Sequence, residues 1–190
     1  MRKILVLDNY DSFTYNLIHY VKELTSDSVD VFRNDKISLS DVAQYDKILL
    51  SPGPGIPSEA GIMPELVKQY GATKSIFGVC LGQQCIAEVY GGSIINLDNV
   101  YHGVESEIRI IDKSEPLFNG LPEIFTAGRY HSWNVTRENL PDCIKITAVD
   151  NQDMIMAIRH TSHDVRGVQF HPESVLTPLG KRIIKNWLEN

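Results

Sequence analysis

The chain has 190 residues, 43% hydrophobic and 22% charged, enough apolar content for one domain over 1–190 with a proper core. Its net charge of −6, with no basic cluster, argues against a nucleic-acid or anionic-membrane partner. Cys80, Cys85 and Cys143 form no CxxC pair, which disfavours a disulfide framework or zinc site and fits a reducing cytoplasm.

The first apolar run, Ile4 to Leu7, is continuous, as expected of a strand buried on both faces, and far too short for a signal peptide or membrane span. Asp11 or Ser12 is placed to cap a helix over about Phe13 to Leu24, where Leu17, Ile18, Val21 and Leu24 recur at helical spacing. Ser28 to Phe32 alternates and reads as a strand, Leu39 to Tyr45 as a short helix, and Lys47 to Leu50 as a third strand. The stretch Ser51-Pro52-Gly53-Pro54-Gly55-Ile56-Pro57 suits neither helix nor central strand, because proline and glycine together fix a rigid, irregular path. A helix from about Met63 to Tyr70 has Pro64 in its first turn and stops at Gly71.

Ser75 to Val79 is a fourth strand. It runs into Gly78-Val79-Cys80-Leu81-Gly82, and helix formers follow from Gln83 to Tyr90. Strand, tight turn and helix put a cysteine at the apex of an elbow, with glycines making room for a strained backbone. The helix N-terminus is electropositive and favours a thiolate there. The plainer reading is a small buried hydrophobe, so a base elsewhere in the chain must decide. Strand–helix alternation predicts an α/β fold, mainly a parallel doubly wound sheet with helices on both faces. Ligands of such sheets bind beyond the carboxyl ends of the strands, where the Pro-Gly loop and the elbow both lie.

The second half changes character. Ser93 to Leu97, Glu105 to Ile111, Phe125 to Ala127, Trp133 to Val135, Ile144 to Val149, Met154 to Ile158 and Val165 to Phe170 read as short strands between turn signals. These predict antiparallel hairpins extending the sheet. Gly180 to Leu188 closes the chain as a helix with Ile183, Ile184, Trp187 and Leu188 on one side.

The last of those strands ends at His171-Pro172-Glu173. Pro172 keeps His171 extended at the strand tip, and Glu173, two residues on, shares a side with it. A carboxylate beside an imidazole fixes its tautomer and stabilises the imidazolium. Cys80, His171 and Glu173 thus offer a nucleophile, a base and an orienter, against the plainer reading that the pair caps a turn. An oxyanion would need backbone donors. The N–H of Leu81 follows from the elbow, and Gly53 is the choice for the second if the two strands are neighbours.

Three separated segments then agree. Pro52-Gly53-Pro54-Gly55, Gly78-Val79-Cys80-Leu81-Gly82-Gln83-Gln84 and Gln169-Phe170-His171-Pro172-Glu173 together resemble the class I, triad-type glutamine amidotransferases. Asp8 to Asn16 and Arg129-Tyr130-His131-Ser132 narrow the resemblance to glutaminase subunits of chorismate-using synthases, either anthranilate synthase component II or its aminodeoxychorismate counterpart. The likeness covers essentially the whole chain. It implies a class I glutamine amidotransferase fold and hydrolysis of L-glutamine by Cys80, His171 and Glu173. It also implies glutamine contacts from Gly53, Pro54, Gly55, Leu81, Gln84, Ser132 and Trp133. No cofactor and no metal are implied on this chain. The implied partner is a larger synthase subunit that takes the ammonia, the anthranilate enzyme being favoured over the aminodeoxychorismate one by Asn96-Leu97-Asp98 and Val100-Tyr101-His102-Gly103. Gln83 departs from relatives that carry histidine there, and Cys85 is expected to pack inward.

Two rival readings remain. A stand-alone γ-glutamyl hydrolase-like cysteine hydrolase would share Cys80 and His171 but turn over γ-glutamyl peptides. A receiver-like signalling module would use Asp8 and Asp11, but the third strand ends in Ser51-Pro52 and offers no phosphate-accepting aspartate.

Overall fold

The computed structural model describes residues 1–190. Strands β1 (Lys3–Asp8), β2 (Ser28–Arg33), β3 (Lys47–Leu50) and β4 (Ser75–Val79) alternate with helices α1 (Thr14–Leu24), α2 (Leu39–Val42) and α3 (Met63–Tyr70). Helix α4 (Leu81–Val89) follows the elbow. Strands β5 (Ile94–Ile110), β6 (Ile124–Val135), β7 (Ile144–Asp150), β8 (Ile155–His160) and β9 (Val165–Val168) and helix α5 (Gly180–Glu189) complete the chain. One nine-stranded sheet runs in the order β2-β1-β3-β4-β9-β8-β7-β5-β6. The pairs from β2 to β9 are parallel and the rest antiparallel. The mixed α/β architecture is the one expected.

Ile4 to Leu7 and Ile48 to Leu50 are fully buried because helices cover both faces of the parallel half. On one face α1 and α5 bury Leu17, Val21, Ile183, Ile184 and Trp187. On the other, α3 and α4 bury Met63, Leu66, Cys85 and Ile86. Cys85 packs inward as expected, and burial pushes its thiol up.

Four local expectations are corrected. Neither Asp11 nor Ser12 caps α1. Asp11 instead accepts from the Phe13 N–H at 2.6 Å, and Phe13 is the boundary residue. Helix α2 ends at Val42, short of Tyr45. Helix α4 starts at Leu81 rather than Gln83. The four short strands expected within 93–135 are two long ones, β5 and β6, paired as an arm with register shifts at Asn96/Tyr101 and His102/Val104. Those shifts break the period-two pattern, which is why each strand reads as two in the sequence.

Candidate active site

Cys80 sits between β4 and α4 with φ 54°, a left-handed conformation unfavourable for any residue with a side chain. The neighbours explain how it is held. A Cβ on Gly78 would lie 2.5 Å from the Gly82 carbonyl carbon, and one on Gly82 would lie 2.7 Å from the Leu50 carbonyl oxygen. Both glycines are therefore demanded by the turn's tightness. Strained residues of this kind collect at functional sites.

The base side of the site comes from the next strand in the sheet. β9 lies beside β4, with Gly78 opposite Gly167, and delivers Gln169, His171 and Glu173 just past its end. His171 Nδ1 is 2.6 Å from Glu173 Oε1, and both side chains are buried. The His171-Pro172 turn is pinned three ways. Its N–H donates to Gly128 O at 3.0 Å, and its carbonyl accepts from Thr177 Oγ1 at 2.6 Å. The start of α5 abuts the same turn so closely that a Cβ on Gly180 would fall 1.8 Å from the Pro172 oxygen.

His171 Nε2 is buried and carries no hydrogen bond. Burial disfavours the imidazolium, but the Glu173 charge and the facing Cys80 sulfur outweigh it and raise the pKa well above 6.5. Such a trio can exchange a proton between sulfur and ring and hold the resulting imidazolium.

A cavity of about 210 Å³ opens over the sulfur. Gly53, Pro54, Gly55, Cys80, Gln84, Ser132 and Trp133 all line it. β3 pairs with β4, so the Pro-Gly loop does stand beside the elbow. Gly53 is packed so tightly that a Cβ would meet Asn9 Cβ at 2.6 Å. Asn9 in turn donates from Nδ2 to Ser51 O at 2.8 Å and tethers the loop. Leu81 lines a different cavity, shared with Asn9, Tyr10 and Pro54, and is absent from the lining of the one over the sulfur. As the first helical residue, Leu81 has an N–H with no intrahelical acceptor.

Gln84 is buried rather than solvated. Both its N–H groups are committed, to Trp133 O at 2.9 Å and Gln169 Oε1 at 3.2 Å, leaving only its carbonyl unpaired. Gln83 packs over Gly167, where a Cβ would come 2.8 Å from its own.

Five lining residues lie in the resemblance motifs but have no site role assigned from the sequence: Val100, Tyr101 and His102 from β5, and Tyr130 and His131 from β6. Tyr101 lies with Arg129 3.5 Å from its ring centroid and its ring stacked on His131 at 5.2 Å. Arg129 is buried in an ion pair with Asp150 at 2.7 Å. Burial and the Arg129 charge hold His131 neutral, with its pKa down at about 3. The motif Arg129-Tyr130-His131-Ser132 marks the region, but nothing in it says which side chains face the cavity.

No group of three or more potential metal-binding side chains occurs, and no helix is long and apolar enough to cross a membrane. The model of the class I glutamine amidotransferase family matches residues 5–190. Anthranilate synthase beta subunit 1, chloroplastic, of Oryza sativa subsp. japonica is 48% identical over 191 residues, covering 97% of this chain and 66% of that protein. The aminodeoxychorismate/anthranilate synthase component 2 of Bacillus subtilis is 45% identical over 188 residues, covering 98% of this chain and 95% of that one. The crystal structure of a Thermoplasma acidophilum protein, provisionally named as a GMP synthase component, superposes with a TM-score of 0.88 at 27% identity, covering 100% of this chain and 93% of that chain. The chain belongs to the class I glutamine amidotransferase family.

Proposed function

We propose that residues 1–190 act as one glutaminase domain that hydrolyses L-glutamine through Cys80, His171 and Glu173 and passes the ammonia to a larger chorismate-using synthase subunit. The observation that carries it is the buried His171–Glu173 pair at 2.6 Å, behind a strained cysteine that opens on the cavity. The Cys80 thiolate attacks the side-chain amide carbon. The tetrahedral oxyanion is received by the N–H groups of Gly53 and Leu81. His171, protonated and held by Glu173, gives its proton to the leaving nitrogen, and ammonia departs. Water, deprotonated by His171, then cleaves the γ-glutamyl thioester to glutamate and restores the thiol. Gln84 offers its free carbonyl to the substrate, and Gly53, Pro54, Gly55, Ser132 and Trp133 form the walls around it.

Anthranilate is the product this reading favours, supported by the rice relative's name. The Bacillus relative's name carries both activities, which supports the aminodeoxychorismate partner as the second reading. Mixing the chain with each synthase subunit, chorismate and glutamine distinguishes them by anthranilate fluorescence. In the productive complex Cys80→Ser removes glutamine-dependent product and leaves synthesis from ammonium salts intact. A substituted complex that still used glutamine would overturn the nucleophile.

A further inference from the structure

Gln169 is fully buried, two residues before the base. Its Nε2 lies 3.4 Å from Cys80 Sγ. That N–H is a side-chain donor to the sulfur besides the facing His171 ring.

The direction of this bond is set from a distance. Arg129 Nε donates to His131 Nε2 at 3.0 Å, so neutral His131 keeps its proton on Nδ1 and donates to Trp133 O at 2.9 Å. A carbonyl can only accept, so Gln84 must turn Nε2 towards Trp133 O. Its second N–H then requires an acceptor, which is Gln169 Oε1. With its oxygen taken, Gln169 has only its NH₂ end left for the sulfur. The amide orientation is thus fixed by the carbonyl of Trp133.

We infer that Gln169 is a catalytic residue that stabilises the Cys80 thiolate by hydrogen bonding, and that Gln84 is the positioning residue that keeps its NH₂ end on the sulfur. The inference rests on Cys80 being the nucleophile. A donor to a charged acceptor is worth more than one to a neutral acceptor. Gln169 therefore favours thiolate over thiol, in addition to the imidazolium. It also stays in place when water cleaves the thioester, so the sulfur leaving as thiolate meets a fixed donor besides the ring. Gln84 spans two roles, because its carbonyl faces the cavity while its nitrogen orders Gln169.

The test reads Cys80 directly, on the full chain. Iodoacetamide alkylates thiolate, forming a carbon–sulfur bond as iodide leaves, and peptide mass spectrometry separates Cys80 from buried Cys85 and part-buried Cys143. The rate is followed against pH. The titratable groups around the sulfur are His171 with Glu173 behind it, Tyr130 and His131 from β6, and His102 from β5. These are unchanged in every variant. Gln169→Leu is expected to slow alkylation at neutral pH by about tenfold and to move the midpoint up by about one pH unit. Gln169→Met keeps the length and approximate volume but has no donor, so its midpoint rises as far. Gln84→Leu, which frees Gln169 to turn, moves the midpoint in the same direction by less. A wild-type profile in Gln169→Leu or Gln169→Met overturns the assignment, because simple space-filling would predict that outcome. If Gln169→Leu does not fold, Gln169→Met decides alone. Retained glutamine hydrolysis in Cys80→Ser would instead bring down the nucleophile itself, a separate result.

Discussion

His171 and His131 respond to pH with opposite sign. His171 binds its proton more tightly folded than unfolded, so its contribution to stability is complete below about pH 6.5 and lost as pH rises through its raised native value. His131 is buried neutral with its pKa near 3, so it costs about 1.4 kcal/mol per unit as pH falls from about 6.5 towards that value. Denaturant unfolding between pH 4 and 7 should therefore show a shallower acid decline in His131→Gln than in the parent. Glu173→Gln removes the charge that raises His171. Its ring titration, followed by NMR, should move down, and glutamine hydrolysis should fall less than in His171→Ala, since an orienter is partly dispensable. Equal losses would mean that Glu173 does more than hold the ring. The roles proposed for Cys80, His171 and Glu173 are legible because their signals are local: a glycine-flanked apex and a strand end before proline. That of Gln169 is not, because it depends on a sulfur 89 residues away.

At the scale of elements, the contact between α5 and the His171–Glu173 turn transmits packing to chemistry. Gly180 lies under Pro172 with no room for a methyl group. Gly180→Ala should cost about 1–3 kcal/mol by overpacking and lower glutaminase activity further than that loss of stability alone explains, because His171 must shift to admit it. Thermal melts beside turnover of folded protein separate the two. Deeper in the same layer, Trp187 is fully buried, accepts from Lys47 Nζ at 2.9 Å through its carbonyl and donates from Nε1 to Ser75 Oγ at 3.2 Å. Trp187→Ala should cost about 3–5 kcal/mol, read from denaturation midpoints. The parallel half and its helices could be read from hydrophobic period and glycine punctuation. The β5–β6 arm could not, because Leu97 to Val100 and Gly103 interrupt its alternation and look like turns, whereas in space they are irregularities within continuous strands. Tyr101 was hidden for the same reason.

For the whole molecule, the carboxyl edge of the parallel strands collects every proposed functional group, and the loop after β1, with Tyr10, and the first turn of α1, with Tyr15, stand at that edge with both rings exposed. Tyr10 is held there by Asp35, at 2.7 Å from its hydroxyl, and by Arg33 over its ring. If this edge meets the synthase, Tyr15→Ala should weaken the complex by roughly 2 kcal/mol, measured by calorimetric titration, while glutamine hydrolysis by the isolated chain is unaltered. Complex formation at parental strength would place the partner on another face. The strand order carries a different consequence. β9, the last strand to be made, is inserted between β4 and β8, so the two halves of the sheet are complete in sequence before the piece that joins them exists. A growing chain must hold the flank of β4 open, with Ile76, Phe77 and Val79 along a bare ladder edge that invites pairing with a neighbouring nascent chain. Folding thus waits on the emergence of β9 from the ribosome, and a polypeptide released before it would carry an unaccompanied thiol and an adhesive rim but no means of splitting an amide.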